Sequence, residues 1–404
     1  MKVTYVNPSF LDYRVPVYAA LDQLLGGKLT VIYSKRRTPE RVVHKIEAVL
    51  GNRAVGLTGE RILTVGKNNS DFANSGIAIP YQPDLLKTVL SIESDVVVAE
   101  GFFQWTPAAV TKKILQGTPL VLSYEKTAHT ERNCPWWRTA FRRRCLRFID
   151  AVVCNGKLSK DYIESLGMSV ERIVTGGMAA DSNGLRTRIA GVTETQIRFI
   201  RTQFGLTRPV FLYVGRMIKC KGVAELLRGW GIYKKQKFSP GSLLLVGGGN
   251  QENALRQMVK DKNLPDVHFT GEVDYDDIAQ FYAVADVFVM PTLEDNWSLA
   301  IPEAMACGLP IACSKFNGCW PELAKEGENG KVFDPKNPNE MAEILFFFAR
   351  NLSRLPQMGS RSQEIEKDFA PTNAARAILK AINIAVSGKR KGGFVEDYSP
   401  SAVQ

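Results

Sequence analysis

Pro291-Thr-Leu-Glu-Asp-Asn-Trp-Ser-Leu-Ala-Ile-Pro-Glu303-Ala-Met-Ala-Cys-Gly-Leu-Pro310 is the stretch that decides how this chain is read. It follows a short apolar run, Val287 to Met290, that predicts a buried strand. It leads into an apolar helix ended by Gly308 and Pro310, and then into another strand, Ile311 to Cys313. Asp295 and Glu303 therefore stand on either side of a strand-to-helix turn, where backbone N–H groups point at whatever occupies the cleft. Two carboxylates around a helix start suit hydroxyl groups. The amides between them, near Ser298 and Leu299, suit an anion. A nucleotide-sugar offers both.

The second half of the signal lies upstream, in Val214-Gly-Arg-Met-Ile-Lys-Cys-Lys-Gly222. Phe211 to Val214 predicts a strand and Val223 to Tyr233 a helix, so Gly215, Arg216 and Lys221 fall in one strand-to-helix loop. There the two cations can converge on a diphosphate, Arg as a planar fork and Lys as a point charge. Alone such a loop is weak evidence, because basic loop residues are most often only solvated. Its pairing with the later block, within one alternating strand–helix series, makes the signal specific.

Together these residues resemble the retaining glycosyltransferases of family 4, which have the GT-B fold. The family pattern is a G-R-x(n)-K-G loop, a Gly-rich strand end, and a Glu-x7-Glu block closed by E-A-M-A-x-G-x-P. Here the strand end is Leu243-Leu-Leu-Val-Gly-Gly-Gly249, including Gly247, and the closing block is Glu303-Ala-Met-Ala-Cys-Gly-Leu-Pro310. The resemblance covers residues 207–385, and in the N-terminal half it is mainly architectural. It implies that Arg216 and Lys221 hold the donor diphosphate, that Glu303 holds the ribose hydroxyls, and that the first acidic position touches the donor sugar. It also implies transfer without a metal or other cofactor, the nucleotide-diphosphate-sugar being a co-substrate. One position departs from the pattern. Seven residues before Glu303 stands Asp295, a shorter side chain, while Glu294 is one place too early. The sugar contact is assigned to Asp295, with Glu294 as the alternative.

The chain has 404 residues, enough for two domains, and its 45% apolar and 23% charged residues are globular values. No apolar run approaches the eighteen or so residues that span a bilayer. The first residues enter an apolar strand, Val3 to Val6, without the pattern of a secretory signal. Seven cysteines, none paired as CxxC, favour a reduced cytoplasmic setting. Of three histidines, His44, His129 and His268, the last sits in an apolar strand, so a histidine metal site is not expected. The net charge of +11 suits a nucleic acid, an anionic membrane or a phosphorylated substrate without choosing among them.

Strand and helix patterns alternate through both halves, with strands expected at 2–6, 28–33, 95–100, 119–124, 151–154 and 171–175 in the first. Helices are expected near 14–25, 83–91, 106–116, 136–149 and 157–167. The expected class is α/β, two doubly wound Rossmann-like domains facing a cleft. The domains are set at 1–185 for the acceptor and 186–385 for the nucleotide-sugar, with a linker near 180–207. The last helix, 373–386, is free to pack back on the first domain, and 387–404 is a flexible tail. On the acceptor side, the strand ends Asn7-Pro-Ser-Phe10, Glu100-Gly-Phe-Phe103 and Tyr124-Glu-Lys-Thr-Ala-His-Thr-Glu131 carry polar residues. Glu125 or His129 is expected to contact the donor sugar or the acceptor hydroxyl, the alternative being that both only order their loop. Arg14 reads as a helix-start residue or an acceptor contact.

Asn133 to Arg147 holds five arginines and no acid. At 100° per residue Trp137, Phe141, Cys145 and Phe148 share one face. The pattern describes a basic amphipathic helix for an anionic membrane surface, the alternative being a helix packed on the sheet with its arginines exposed. No nucleic-acid-binding motif accompanies it. The leading reading is transfer of a sugar to a glycan or lipid-linked acceptor, as in surface-polysaccharide or glycolipid assembly. A nucleotide-sugar epimerase on the same fold and a non-catalytic polyanion- or membrane-binding protein are the alternatives.

Overall fold

Runs such as Val210-Phe-Leu-Tyr-Val214 carry no alternation because they are buried on both faces, as strands of a parallel sheet must be. In the computed structural model, which describes residues 1–65, 72, 77–180 and 182–390, such runs build two parallel sheets. The first half contributes β1 (Val3–Val6), β2 (Leu29–Ser34), β3 (Ala54–Leu57), β4 (Arg61–Val65), β5 (Ile77–Tyr81), β6 (Val96–Glu100), β7 (Leu120–Tyr124), β8 (Ala151–Cys154) and β9 (Ile173–Thr175). Seven of these pair in the order β3-β2-β1-β6-β7-β8-β9, and β4 and β5 form a separate antiparallel pair. The second half contributes β10 (Val210–Val214), β11 (Ser242–Val246), β12 (Val267–Gly271), β13 (Val287–Met290), β14 (Ile311–Ser314) and β15 (Gly330–Phe333), in the order β12-β11-β10-β13-β14-β15. Both are doubly wound sheets in two domains. In each, the strand order turns back beside the first strand, between β1 and β6 and between β10 and β13.

Helices cover the sheets with residues spaced three or four apart. In Val223–Lys235, Val223, Leu226, Leu227, Trp230 and Tyr233 are buried in the second core, and Lys234 and Lys235 fall in the last turn, where the helix dipole favours cations. The long helix Pro371–Arg390 belongs to the other core. Its Ala374, Ala375, Ile378, Ala381, Ile382 and Ala385 pack with Val15, Val17, Tyr18 and Leu21 of Arg14–Leu24.

Three expectations change. The stretch read as a linker contains the helices Ser182–Ala190 and Glu194–Phe204, the second opened by a capping box of Thr193 and Gln196. The last helix runs on to Arg390, so the first four residues assigned to the tail are helical, and 391–404 lie outside the described residues. In Trp136–Leu146 the buried side chains are Arg142, Cys145 and Leu146, while Trp136, Trp137 and Phe141 are exposed. The expected apolar face is thus divided, its aromatic half turned outward and Cys145 inward. Arg142 is drawn inward by Glu131, at 2.7 Å, and by the Tyr162 hydroxyl, at 2.9 Å.

Candidate active site

At a point where strand order reverses, the loops at the carboxyl ends of the two neighbouring strands leave a crevice. In the second sheet those loops follow β10 and β13, and they are Gly215–Gly222 and Pro291–Leu299. One carbonyl ties them together. Cys220 O accepts from Leu293 N at 2.7 Å, Glu294 N at 3.1 Å and Thr292 Oγ1 at 2.9 Å. Gly222 permits the approach, because it has φ +69° and a Cβ there would lie 2.1 Å from Pro291 O.

The approach sets Lys221 Nζ 2.5 Å from Asp295 Oδ2. Asp295 also accepts from the Ser298 hydroxyl and, at 3.1 Å, from Trp297 N–H. Burial pushes its carboxyl upward. The Lys221 charge and these hydrogen bonds outweigh burial and hold it below the usual range, so it is ionised at neutral pH. Ser298 N–H donates to Asn317 Oδ1 at 3.4 Å, whereas no acceptor for Leu299 N–H lies among the described residues. Arg216 is exposed and makes no ion pair among the described residues. Its carbonyl accepts from the Tyr213 hydroxyl at 2.8 Å. Gly247 and Gly249 are sites of close backbone approach: a Cβ on them would lie 2.2 Å from Gly215 O and 2.5 Å from Met217 O. Glu303 opens the helix Ala300–Ala306 and accepts from the hydroxyls of Tyr282, at 3.1 Å, and Tyr275, at 3.4 Å.

The first domain meets this cluster directly. His129 Nε2 lies 2.9 Å from Leu293 O, and its ring stacks on Phe316 at 4.1 Å. A carbonyl only accepts, so Nε2 carries the proton. Burial lowers the ring's pKa, leaving it neutral. Arg132 pairs with Glu294 at 2.6 Å, and Asn296 Nδ2 donates to Glu125 Oε1 at 3.1 Å. The two adjacent acids therefore face opposite ways, Glu294 to the first domain and Asp295 to Lys221.

Beyond Glu125, at the reversal between β1 and β6, a cavity of about 360 Å3 is lined by Asn7, Arg14, Arg37, Glu100, Phe103 and Glu125 among others. Arg14 is buried, donating to Gly177 O at 2.8 Å and the Tyr5 hydroxyl at 2.7 Å, with Glu100 at 3.5 Å. It both begins its helix and lines the cavity. Burial, with Glu100 and Asp295 nearby, pushes the Glu125 carboxyl up.

The fold thus joins Lys221, Asp295 and Ser298 in one cluster and brings Glu125 and His129 against its loop. Arg216 stands apart as an exposed cation, and Glu303 is held by tyrosines. Sequence reasoning missed Asn317 and Gly318. Gly318 N donates to Asp295 O at 3.0 Å, and a Cβ on Gly318 would lie 1.8 Å from Asn296 O. The Asn-Gly pair just after β14 was the available signal. Among the described residues, no group of three or more His, Cys, Asp or Glu side chains is placed to hold a metal ion. No described helix is long and apolar enough to cross a membrane.

Residues 196–363 match the family model of glycosyl transferases group 1. The mannosylfructose-phosphate synthase of Agrobacterium fabrum is 27% identical over 58% of this chain and 53% of its own length. A sulfoquinovosyl transferase of Arabidopsis thaliana is 24% identical over 67% of this chain and 52% of its own. The chain spans about half the length of the curated relatives it matches. Among solved structures, Anabaena HepE in complex with UDP superposes with a TM-score of 0.72, at 18% identity, over 95% of this chain and all of that one. Sucrose-phosphate synthase from Thermosynechococcus elongatus gives 0.66 at 15% identity, over 96% and 100%. The fold is GT-B, and residues 196–363 are similar to the group 1 glycosyltransferases.

Proposed function

We propose that the chain is a retaining glycosyltransferase. It moves a sugar from a nucleotide-diphosphate-sugar to a hydroxyl of a glycan or lipid-linked acceptor, in surface-polysaccharide or glycolipid assembly. The observation that carries this is the pair of loops after β10 and β13, where Lys221 and Asp295 are joined, Arg216 is exposed on the first loop, the Leu299 amide ends the second, and Asn296 ties the cluster to Glu125 at the acceptor-side cavity. HepE's complex with UDP, and a relative in Mycobacterium tuberculosis named as a GDP-mannose-dependent mannosyltransferase, support the donor class.

Departure of the diphosphate concentrates negative charge on the leaving group. Arg216, Lys221 and the Leu299 amide meet that charge without a metal ion. Glu303, oriented by Tyr282, takes the ribose hydroxyls. Retention follows from attack on the face the leaving group vacates, with a phosphate oxygen taking the acceptor proton, so positioning matters more than a protein base. Asp295 acts by fixing Lys221 and the loop. The enzyme works on the cytoplasmic side, peripheral to a membrane.

The test is calorimetric titration with UDP and with GDP, on the parent chain and on Arg216→Ala. One nucleotide binds the parent, and the variant loses about 1.5–3 kcal/mol, the range for hydrogen bonds to charged groups. Binding of neither nucleotide, or equal binding by the variant, removes the proposal.

A further inference from the structure

We propose that the exposed face of the helix Trp136–Leu146 docks on an anionic lipid surface and holds the mouth of the acceptor cavity against it. Trp136 is 81% exposed, Trp137 40% and Phe141 38%, three large rings on a helix that has its own buried face. Arg143 and Arg144 on the same helix, and Arg147 just past its end, are exposed and make no ion pair among the described residues. Rings of this kind settle at a membrane–water boundary, and arginine stems bury along apolar surface while the guanidinium reaches phosphate.

The patch continues in two directions. At one end Phe141 stacks on Phe103 at 5.0 Å, and Phe103 lines the acceptor-side cavity. Arg138 bridges the rings, its guanidinium 5.3 Å from Trp137 and 5.9 Å from Phe103. At the other end Arg147 joins Arg172, Arg376 and Lys380 around an open depression of about 990 Å3, whose acids are Asp150 and Glu171. Asp150 is already held by Lys113 at 2.6 Å. Cationic charge therefore lines the helix from the cavity rim to the foot of the first sheet. The rings stand on a convex helix and not in a groove that tracks a nucleic-acid strand, which favours a lipid surface.

That docking delivers the acceptor to the cavity rests on the transferase reading. The docking itself does not. The test is co-sedimentation of the full chain with phosphatidylcholine vesicles, with and without phosphatidylglycerol. The parent binds only the anionic vesicles, less so as salt rises. Arg143→Ser/Arg144→Ser/Arg147→Ser binds them on the order of 100-fold more weakly. Trp136→Ser/Trp137→Ser loses the blue shift of tryptophan fluorescence that the parent shows on binding. Both variants keep the parent's melting temperature and nucleotide titration, so failure of docking and failure of the donor site read out separately. Equal binding by the arginine variant, or no binding by the parent, overturns the proposal. Retention on a single-stranded oligonucleotide without retention on vesicles assigns the face to nucleic acid and also overturns it.

Discussion

Replacing Lys221 by alanine strips the cation from a carboxylate that is nearly out of water, the two side chains keeping 20% and 12% exposure. Removing one partner of a fully buried pair costs about 3–5 kcal/mol. Asp295 retains the Ser298 hydroxyl and the Trp297 N–H, which places the cost at the low end, about 3 kcal/mol. At about 2–4 °C per kcal/mol for a domain of this size, the melting temperature falls by about 6–12 °C at neutral pH. The pH dependence has a definite sign. The folded-state pKa of Asp295 is depressed, so its stabilisation is present above the unfolded carboxylate value of about 3.9 and is lost as pH falls through the folded one. The gap between variant and parent is therefore widest near neutrality and narrows in acid. Circular-dichroism melts at both pH extremes measure it, and Lys221→Met/Asp295→Leu, which removes both charges, recovers part of the loss. A Lys221→Ala variant melting with the parent at neutral pH, or a gap that widens in acid, refutes the pairing.

Two further outcomes follow from the same crevice. Gly222→Ala must relieve a Cβ placed 2.1 Å from Pro291 O at a left-handed φ, costing about 1–3 kcal/mol in backbone strain alone. It lowers both melting temperature and nucleotide affinity, and parent-like values in both would deny the close approach. Tyr282→Phe removes a buried hydroxyl bonded to Glu303 and destabilises the fold by about 1.5–3 kcal/mol in urea unfolding, where an unchanged midpoint counts against that bond.

The crevice was legible because parallel strands announce themselves as apolar runs, and Gly, Lys, Arg, Asp and Glu at their ends stand out against them. The pairing inside it was not legible. Lys221 and Asp295 lie 74 residues apart, and only the register of β10 beside β13 brings their loops together. In Trp136–Leu146, a helical wheel that counts every arginine as polar-outward has no means of knowing that Glu131, from the preceding loop, claims Arg142. The helix Glu40–Leu50 lies outside the expected elements, although Val42, Val43, Ile46 and Leu50 mark one face at helical spacing. The pair β4 and β5 has exposed Ile62, Leu63, Ile79 and Tyr81, so its pattern does not separate an inside from an outside.

The contacts of His129 with Leu293, Arg132 with Glu294 and Glu125 with Asn296 have a kinetic meaning. For the halves of the molecule to swing apart, all of them must break together, along with the ring stack on Phe316. At about 1 kcal/mol for each hydrogen bond, these three contacts alone disfavour the gaping form on the order of 100-fold. On the proposed activity, spent nucleotide leaves through that rare form, and the loop that carries Asp295 is its latch.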